Sequence, residues 1–289
     1  MVKNKDFFLL VGPALSIVSI ISFVSICWLF FISFYNFTFG DHLDSAKFVG
    51  FENYINLLFG YDDTFYDSLK ITFVYILSSL FAELIIGFSV ALLLSKVKKE
   101  AIFVTILIIP IILMPSMVGM IGRLYFSYDG LVNYIIELVS GFKFNWYGKD
   151  LALFATILVD IWEWTPFFIL IIHAGLKSIP VEPIEAAKVE GASSIQIFIN
   201  VTYPLLKPLI FTALLLRLMD ILRIFDVIFS MFSGGPGIST TTLPLFVYRS
   251  TLVAEEVGKG SAVSILLIIV IIFLSIILIN YRNRALFEY

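Results

Sequence analysis

Four ionisable side chains follow one another at three-residue intervals inside a long apolar run of this sequence. They alternate in sign: Arg217, Asp220, Arg223 and Asp226. On a helix this spacing brings each charge within reach of the next. Charge inside a membrane is unfavourable unless it faces a partner or a cavity. The pattern therefore fits two uses equally well, a salt-bridge ladder that positions the helix or a set of contacts to a polar ligand.

A second polar group lies in an earlier apolar run, which contains Asp160, Trp162, Glu163 and Trp164. Sugar recognition combines hydrogen-bonding groups with flat aromatic surface, and the two tryptophans supply such surface. The alternative is that they sit in an aromatic belt at the membrane interface. The residues of a candidate substrate path are Trp162, Glu163, Trp164, Asp220, Arg223 and Asp226.

The sequence contains no motif for chemistry on a bound nucleotide or metal. The phosphate-binding pattern G-x-x-x-x-G-K-[ST] is missing, and a partial match at residues 258–261 lacks its first glycine. There is no HExxH, and Cys27 is the only cysteine, which excludes a disulfide and a cysteine-based zinc site within one chain. No basic cluster indicates a nucleic-acid partner. We predict no catalytic residue, no metal site and no cofactor in this chain.

The elements that carry the polar residues are six long apolar runs. Of the 289 residues, 60% are hydrophobic and 14% are charged, and the mean hydropathy is +1.01. About 20 helical residues cross the roughly 30 Å hydrocarbon core of a bilayer. We predict an all-α, polytopic membrane protein with a single transmembrane domain, residues 1–289. Its six transmembrane helices are predicted at about 7–34, 71–94, 101–125, 151–172, 205–232 and 262–281.

Lysine and arginine residues set the expected orientation, because the cytoplasmic loops of membrane proteins carry the positive excess. Ten of them lie in the two terminal segments and in the loops on the same side, against five in loops 36–66, 126–150 and 233–261. An even number of spans places both ends on one side. We therefore expect a multi-pass protein of the cell membrane with both termini in the cytoplasm.

Three prolines fall inside predicted spans, Pro110 and Pro115 in the third and Pro166 in the fourth. Proline removes a backbone donor and clashes with the preceding turn of a helix. Membrane helices tolerate it where neighbouring groups satisfy the freed carbonyls. We expect these prolines to kink or interrupt their helices.

The connection between the fourth and fifth spans, residues 175–206, is long enough to hold structure of its own. Long structured connections are commonly functional. Pro183 suits the first turn of a short helix, which Gly191 can end in a left-handed conformation. Ser193 or Ser194 can cap a second short helix, which we expect to end before Pro204. This knuckle (residues 175–206) either ties the two spans together or docks a partner.

The knuckle resembles a known motif. Glu185-Ala186-Ala187, Gly191 six residues after the glutamate, and Tyr203-Pro204 match the spacing of the EAA loop in importer permeases of the ATP-binding cassette class. The motif usually has aspartate where this chain has Glu190 and leucine where it has Tyr203. Four further stretches resemble sugar permeases of the maltose and glycerol-phosphate type. They are FVGFENY at 48–54, DIWEWTP at 160–166, FD at 225–226 and GGPG at 234–237.

The resemblance implies a division of labour between subunits. Such a permease pairs with a second, related permease, and an extracellular binding protein delivers the sugar. Two ATP-binding cassette ATPases, which hold ATP and Mg, each take one EAA loop. The chain would then have a cytoplasmic two-helix EAA coupling loop below six lipid-embedded helices. The residues expected to contact the ATPase are Glu185, Ala186, Ala187, Glu190, Gly191 and Ala192.

A different class of protein also fits the intramembrane charges. In a secondary transporter, buried carboxylates carry protons. The candidate carboxylates here are Glu83, Asp160, Glu163, Asp220 and Asp226. Such transporters are commonly built from inverted repeats, and no internal repeat is visible in this sequence. Co-purification of an ATPase separates the two classes.

Overall fold

The computed structural model describes residues 4–40, 42, 46–60 and 62–287. The chain divides into two compact units, one made of residues 1–66 with 246–269 and the other of residues 67–245 with 270–289. The helices are, in chain order, α1 Asn4–Ile32, α2 Glu52–Leu58, α3 Asp63–Leu94, α4 Glu100–Leu107, α5 Ile109–Ile112, α6 Pro115–Tyr125, α7 Leu131–Ser140, α8 Ala152–Ser178, α9 Val181–Val189, α10 Ser194–Ile197, α11 Tyr203–Ile221, α12 Asp226–Phe232, α13 Leu243–Tyr248 and α14 Val257–Phe287. Two short strands pair with each other, β1 Tyr35–Asn36 and β2 Lys47–Phe48.

Within the described ranges, five helical stretches are long and apolar enough to cross a membrane. They are Val11–Ile32, Asp63–Leu94, Ala152–Ser178, Ser194–Ile221 and Val257–Asn283. Their outward faces are apolar, and Phe23 of α1, for example, is 70% exposed. Exposed apolar surface on this scale suits lipid rather than water. The prediction of an all-α, multi-pass membrane fold is confirmed.

The third predicted span, residues 101–125, is not one continuous helix. It is built from α4, α5 and α6, and Leu113 and Met114 are extended between α5 and α6. Pro110 and Pro115 each lie in the first turn of a helix, where the missing N–H has no intrahelical acceptor to lose. The expected interruption at these two prolines is confirmed. The fourth span behaves differently, because α8 continues through its proline.

The fifth predicted span, residues 205–232, is also interrupted. Helix α11 ends at Ile221, and α12 begins only at Asp226. The last turn tightens, since Arg223 N–H donates to Asp220 O at 2.9 Å and Ile224 N–H to Ile221 O at 3.1 Å. Bonds of this i to i+3 type are typical of a helix that is ending. A predicted single span is therefore two helices joined by a sharp break.

The expectation that the second knuckle helix ends before Pro204 is wrong. Helix α10 passes into α11 through a π-helical turn, Phe198–Thr202, in which Tyr203 N–H donates to Phe198 O. Pro204 then enters the first turn of α11, where its ring and missing N–H are tolerated. The chain therefore runs from the knuckle into the fifth span without a stop.

Glycines let helices of the second unit approach one another closely. A Cβ at Gly87 of α3 would lie 2.5 Å from Phe168 Cβ of α8, and a Cβ at Gly119 of α6 would lie 2.7 Å from Val227 O of α12. In lipid the hydrophobic effect does not drive helices together, so close van der Waals packing at small residues supplies much of their attraction. These contacts hold α3 against α8 and α6 against α12.

In the first unit, the chain after α1 folds back through β1 and β2, which pair antiparallel with Tyr35 opposite Phe48. Asn53 of α2 donates from Nδ2 to Ser33 O at 2.9 Å and to Tyr35 O at 3.1 Å. One amide side chain therefore fixes the end of α1 and the first strand together. The described part of the predicted outer loop 36–66 includes an ordered cap on α1.

Candidate functional site

The guanidinium of Arg217, on α11, is fully buried in the second unit. Its Nε and Nη2 donate to the two carboxylate oxygens of Glu83 on α3, at 2.9 and 2.7 Å. Nη2 also donates to Asp160 Oδ2 on α8 at 2.6 Å, and Nη1 donates to Asp220 Oδ2 on its own helix at 2.9 Å. One buried cation therefore joins three helices through three carboxylates.

Trp164 of α8 adds an aromatic contact to this group. Its ring lies over the Arg217 guanidinium, 4.4 Å from the ring centroid, a geometry that attracts a cation to the ring face. A buried charge is unfavourable unless it is paired and hydrogen-bonded, and this guanidinium meets both conditions. The Arg217 cluster (Glu83, Asp160, Trp164, Arg217 and Asp220) thus holds α3, α8 and α11 together.

The predicted ladder of alternating charges exists only in part. Asp220 lies 2.9 Å from Arg217 but 3.9 Å from Arg223. Arg223 Nε donates instead to Met219 O at 3.0 Å. The ladder does not extend to Asp226, because the helix breaks before that residue and a new one begins there. Of the predicted ladder, only the ion pair between Arg217 and Asp220 is close.

A cavity of about 240 Å³ lies beside the Arg217 cluster, in the second unit. Its lining residues are Pro115, Glu163, Trp164, Asp220, Arg223, Ile224, Phe225 and Asp226. Five of the six residues predicted for a substrate path are thus brought together. Residues 223–225 reach the cavity from the break between α11 and α12, and Asp226 is the first residue of α12. Together these four residues make up half of the lining.

Trp162, the sixth predicted residue, does not line this cavity. It is 45% exposed, whereas the neighbouring Glu163 is 2% exposed. Glu163 and Trp164 lie three and four residues after Asp160, so the three side chains share one helix face. Trp162 is two residues after Asp160 and so points roughly 200° away from it around the helix. Helical spacing alone is sufficient to separate the two tryptophans.

Glu163 is the most buried acid of the cavity lining. Its Oε2 has no hydrogen-bond partner among the described residues. Buried polar atoms in proteins nearly always have a partner, either protein or water, so this oxygen is available to a ligand or a water in the cavity. In the part of the chain that the structure describes, no group of three or more His, Cys, Asp or Glu side chains could hold a metal ion.

The knuckle has the two short helices that its sequence predicts. Helix α9 ends before Gly191, which has a φ of +81°, a left-handed conformation that glycine adopts without strain. Ser193 caps α10, because its Oγ accepts from Gln196 N–H while the Gln196 side chain accepts from Ser193 N–H. This reciprocal capping box defines where the second helix begins. The predicted turn and cap are confirmed.

The residues predicted to contact an ATPase lie on the surface of the knuckle. Glu185, Ala186, Glu190 and Gly191 are exposed. Ala187 and Ala192 are half-buried. Apolar side chains beside them are exposed too, with Val189 89% and Ile195 71% exposed. A Cβ added at Gly191 would meet no atom within 4 Å. The knuckle therefore presents small and apolar groups to whatever lies next to it.

An ion-pair cluster joins the start of the third span to the end of the fourth. Glu100, the first residue of α4, has Oε2 at 3.1 Å from His173 Nε2 and is also paired with Lys177, both on α8. The hydrogen bond from Lys177, together with the positive charges nearby, lowers the pKa of Glu100 below its ordinary value. Sequence reasoning did not identify this cluster, because nothing in the spacing links residue 100 to residue 173.

Sequence reasoning also missed Arg217 as the centre of a cluster. A usable signal was present: Arg217 lies near the middle of the predicted fifth span, while Glu83 and Asp160 lie in other spans. Charges that far from the membrane surface need partners of opposite sign. The lining residues Pro115 and Phe225 had no such signal, since the helix breaks bring them to the cavity.

Residues 83–287 match the protein family described as "Binding-protein-dependent transport system inner membrane component". The matched region contains the Arg217 cluster, the cavity and the knuckle. It covers well over half of the chain.

Two relatives are similar along most of their length. The trehalose/maltose transport system permease protein MalF of Thermococcus litoralis is 33% identical over 93% of this chain and 91% of its own. The sulfoquinovosyl glycerol transport system permease protein SmoG of Agrobacterium fabrum is 34% identical over 90% of this chain and 84% of its own.

A solved structure shares the fold. A chain of a bacterial ABC transporter involved in the import of the acidic polysaccharide alginate superposes with a TM-score of 0.79, at 20% identity, covering 97% of this chain and 96% of that chain. The resemblance inferred from the knuckle and the shorter motifs is confirmed by the family match and by the two relatives. This chain belongs to the family of inner-membrane permease components of binding-protein-dependent ABC transport systems.

Proposed function

We propose that this chain is one permease subunit of an ATP-driven importer that moves a carbohydrate into the cell. The observation that carries the proposal is the knuckle, an exposed pair of short helices with a left-handed glycine turn between them. The transport systems of MalF and SmoG are named for sugars or sugar conjugates. A carbohydrate is therefore the substrate class that we assign to this chain.

The knuckle suits docking because it exposes both apolar side chains and a charged one. Val189 and Ile195 are apolar and exposed, and exposed apolar groups rimmed by polar ones commonly mark a protein contact. Glu185 offers a charge to a basic or polar group of the partner, while Gly191 leaves room for close approach. We assign this surface to an ATP-binding cassette ATPase.

The remaining partners follow from what this chain lacks. The sequence has no phosphate-binding loop, so ATP and Mg are bound by two ATPase subunits and this chain itself catalyses no reaction. A second, related permease completes the path across the membrane. An extracellular binding protein delivers the substrate, as the family description indicates. Both termini and the knuckle lie in the cytoplasm in this arrangement.

Two continuous helices connect the knuckle to the cavity. Helix α8 leads from Glu163 and Trp164 into the knuckle, where it ends at Ser178, and α11 leads from Tyr203 in the knuckle to Asp220. At 1.5 Å per residue these stretches are roughly 22 and 26 Å long. A displacement of the knuckle by the ATPases is therefore carried to both walls of the cavity, which opens or closes the path.

The test is energisation of transport by the complete complex in proteoliposomes, with the ATPases, the second permease and the binding protein. We expect uptake that requires ATP and persists when a proton gradient is collapsed. The competing secondary transporter predicts the reverse, namely uptake driven by a proton gradient without ATP. ATP-independent uptake would therefore refute the proposed function.

Orientation has a separate test in intact cells. With Cys27 replaced by serine, Lys188→Cys in the knuckle should react only after the membrane is permeabilised. Lys143→Cys, in the opposite loop, should react from outside with an impermeant maleimide. External labelling at position 188 would contradict the cytoplasmic placement of the knuckle.

A further inference from the structure

We propose that a groove at the base of the knuckle binds one anionic phospholipid, with the Arg282 guanidinium as the contact for its phosphate. This lipid groove lies within the second unit, between the end of α8, the start of α11 and the end of α14. The inference rests on the proposed function for its cytoplasmic side, and it adds a lipid partner that the family match does not supply.

The depth of the groove in the membrane is the first observation. The apolar stretch of α8 that is long enough to cross a membrane ends at Ser178, and that of α14 ends at Asn283. Ser178 and Arg282 both line the groove, so the groove lies where the two stretches end. Long basic side chains near the end of a membrane helix reach the headgroup region. The guanidinium of Arg282 is therefore at the level of lipid phosphates.

The charge of Arg282 is the second observation. Its Nε and Nη2 donate to Oδ1 of the neighbouring Asn283, at 3.3 and 3.0 Å, and this acceptor carries no charge. Among the described residues, no acidic side chain lines the groove. Basic pockets between membrane helices on the cytoplasmic side bind anionic headgroups, and a guanidinium matches the geometry of phosphate. The uncompensated charge therefore favours a phosphate group.

The apolar walls select a lipid over a soluble anion. Leu205, Leu206, Pro208 and Leu209 line the groove, whose volume is about 400 Å³. Leu206 is 1% exposed and Leu205 is 38% exposed, so the apolar wall continues from the interior to the outer surface. An acyl chain that leaves the headgroup would cover these side chains. A free phosphate ion would leave them uncovered, without the gain from apolar contact.

The walls of the groove are held in place by contacts within the chain. A Cβ at Gly175 of α8 would lie 2.4 Å from Leu209 Cδ2 of α11, so these two helices approach closely at the groove. Phe211 of α11 stacks on Tyr281 of α14, with ring centroids 6.2 Å apart and an angle of 15° between the rings. Arg282 directly follows this stacked residue. The groove is therefore formed before a lipid enters it, which lowers the cost of binding.

The experiment uses the complete complex in nanodiscs of phosphatidylethanolamine and phosphatidylglycerol. A trace of phosphatidylglycerol carries a photoreactive group on its acyl chain close to the headgroup, and mass spectrometry locates the labelled peptides. We expect labelling within residues 203–212, which excess phosphatidylglycerol removes and phosphatidylcholine does not. Arg282→Gln should lower this labelling about five-fold, the effect of one basic residue at an anionic membrane surface. Arg282→Lys, which keeps the charge, should retain more of it.

Two further variants separate the groove from the general charge of the cytoplasmic side. Leu205→Glu puts a negative charge at the exposed part of the apolar wall and should lower the labelling as well. Lys98→Met removes an exposed charge outside the groove and should leave the labelling at the wild-type level. A loss of labelling in Lys98→Met equal to that in Arg282→Gln would show only a diffuse attraction of the lipid, and would overturn the proposal.

Other results would overturn it too. They are unchanged labelling in Arg282→Gln, equal labelling by a photoreactive phosphatidylcholine, competition by inorganic phosphate, and no labelling because another subunit covers the groove. ATP-driven uptake is measured on the same complex in proteoliposomes. If uptake proceeds without ATP while the labelling pattern holds, the proposed function fails and the lipid site stands. If uptake requires ATP and the labelling is absent, only the lipid site is wrong.

Discussion

The knuckle and the Arg217 cluster lie in the same unit and share the helices α8 and α11, yet they are built in opposite ways. The knuckle is exposed, and its shape follows from local signals such as Gly191 and Ser193. The cluster is buried and joins residues more than a hundred positions apart, since Arg217 meets Glu83. The knuckle surface is thus available to another chain, whereas the buried charges of the cluster are paired within this one.

The largest effect is expected where a buried charge loses its partner. Arg217→Met leaves the carboxylates of Glu83 and Asp160 buried without a cation, which should lower the free energy of unfolding by about 3–5 kcal/mol. Arg223→Met, two residues after the end of that helix, is the matched control. Its side chain is 71% exposed with a 3.9 Å pair, so a change of at most about 1 kcal/mol is expected. Equal losses in chemical unfolding would contradict a central role for Arg217.

A smaller effect is expected at Asp220, which is partly exposed. Asp220→Asn should cost about 1–2 kcal/mol, a charged hydrogen bond discounted for solvent screening. Adding Arg223→Met should not restore stability, because the close partner of Asp220 is Arg217 at 2.9 Å. Thermal unfolding of both single variants and the pair measures this. Recovery of thermal stability in the double variant would instead support a salt-bridge ladder that includes Arg223.

The knuckle should respond to backbone conformation rather than to loss of packing. Gly191→Val forces a branched side chain into a left-handed conformation, with a local strain of about 1–2 kcal/mol. Gly191→Asn tolerates that conformation and is the matched control. We expect valine to abolish ATP-driven uptake and asparagine to keep the turn. If asparagine abolishes uptake as well, the space beside Gly191 matters more than the turn.

The smallest effect is expected at Glu100, the first residue of α4. Its pKa is lowered mainly by the hydrogen bond from Lys177, so its contribution to stability is present above the ordinary glutamate pKa and is lost as pH falls through the lowered value. Glu100→Gln should therefore reduce the Tm slightly at pH 7 and not at strongly acidic pH. Lys177→Met should act alike, with the exposed Lys98→Met as a control. A Tm difference between Glu100→Gln and wild type that grows as the pH falls would contradict this pH dependence.

Features set by neighbouring residues, as in the knuckle, are predictable from the sequence, whereas long-range contacts, as in the Arg217 cluster, are not. The apolar runs, the proline breaks of the third span and the turn at Gly191 all depend on neighbouring residues. Four of the five predicted cavity residues are charged and are indicated by the need of charges in apolar runs for partners; Trp164 is indicated by its flat aromatic surface. Their common cavity depends on the break after Ile221, which has no proline to announce it.

Long-range pairing escaped the sequence altogether. The contact between Glu100 and His173 joins residues 73 positions apart, and no periodicity relates them. Trp162 does not line the cavity for a simpler reason, because it lies on a different face of α8 from Trp164. Placing each residue on its helix face would have separated Trp162 from Trp164 without a structure.

Docking of the ATPase on the exposed knuckle is tested most directly by co-purification. The permease with Glu185→Lys is captured from gently solubilised membranes, and the amount of ATPase retained is measured against wild type. Glu182→Lys, an exposed charge reversal one turn earlier on α9, is the matched control. We predict that Glu185→Lys loses the ATPase while still inserting in the membrane, and that Glu182→Lys keeps most of it. Full retention of the ATPase in Glu185→Lys and in Gly191→Val would contradict the account.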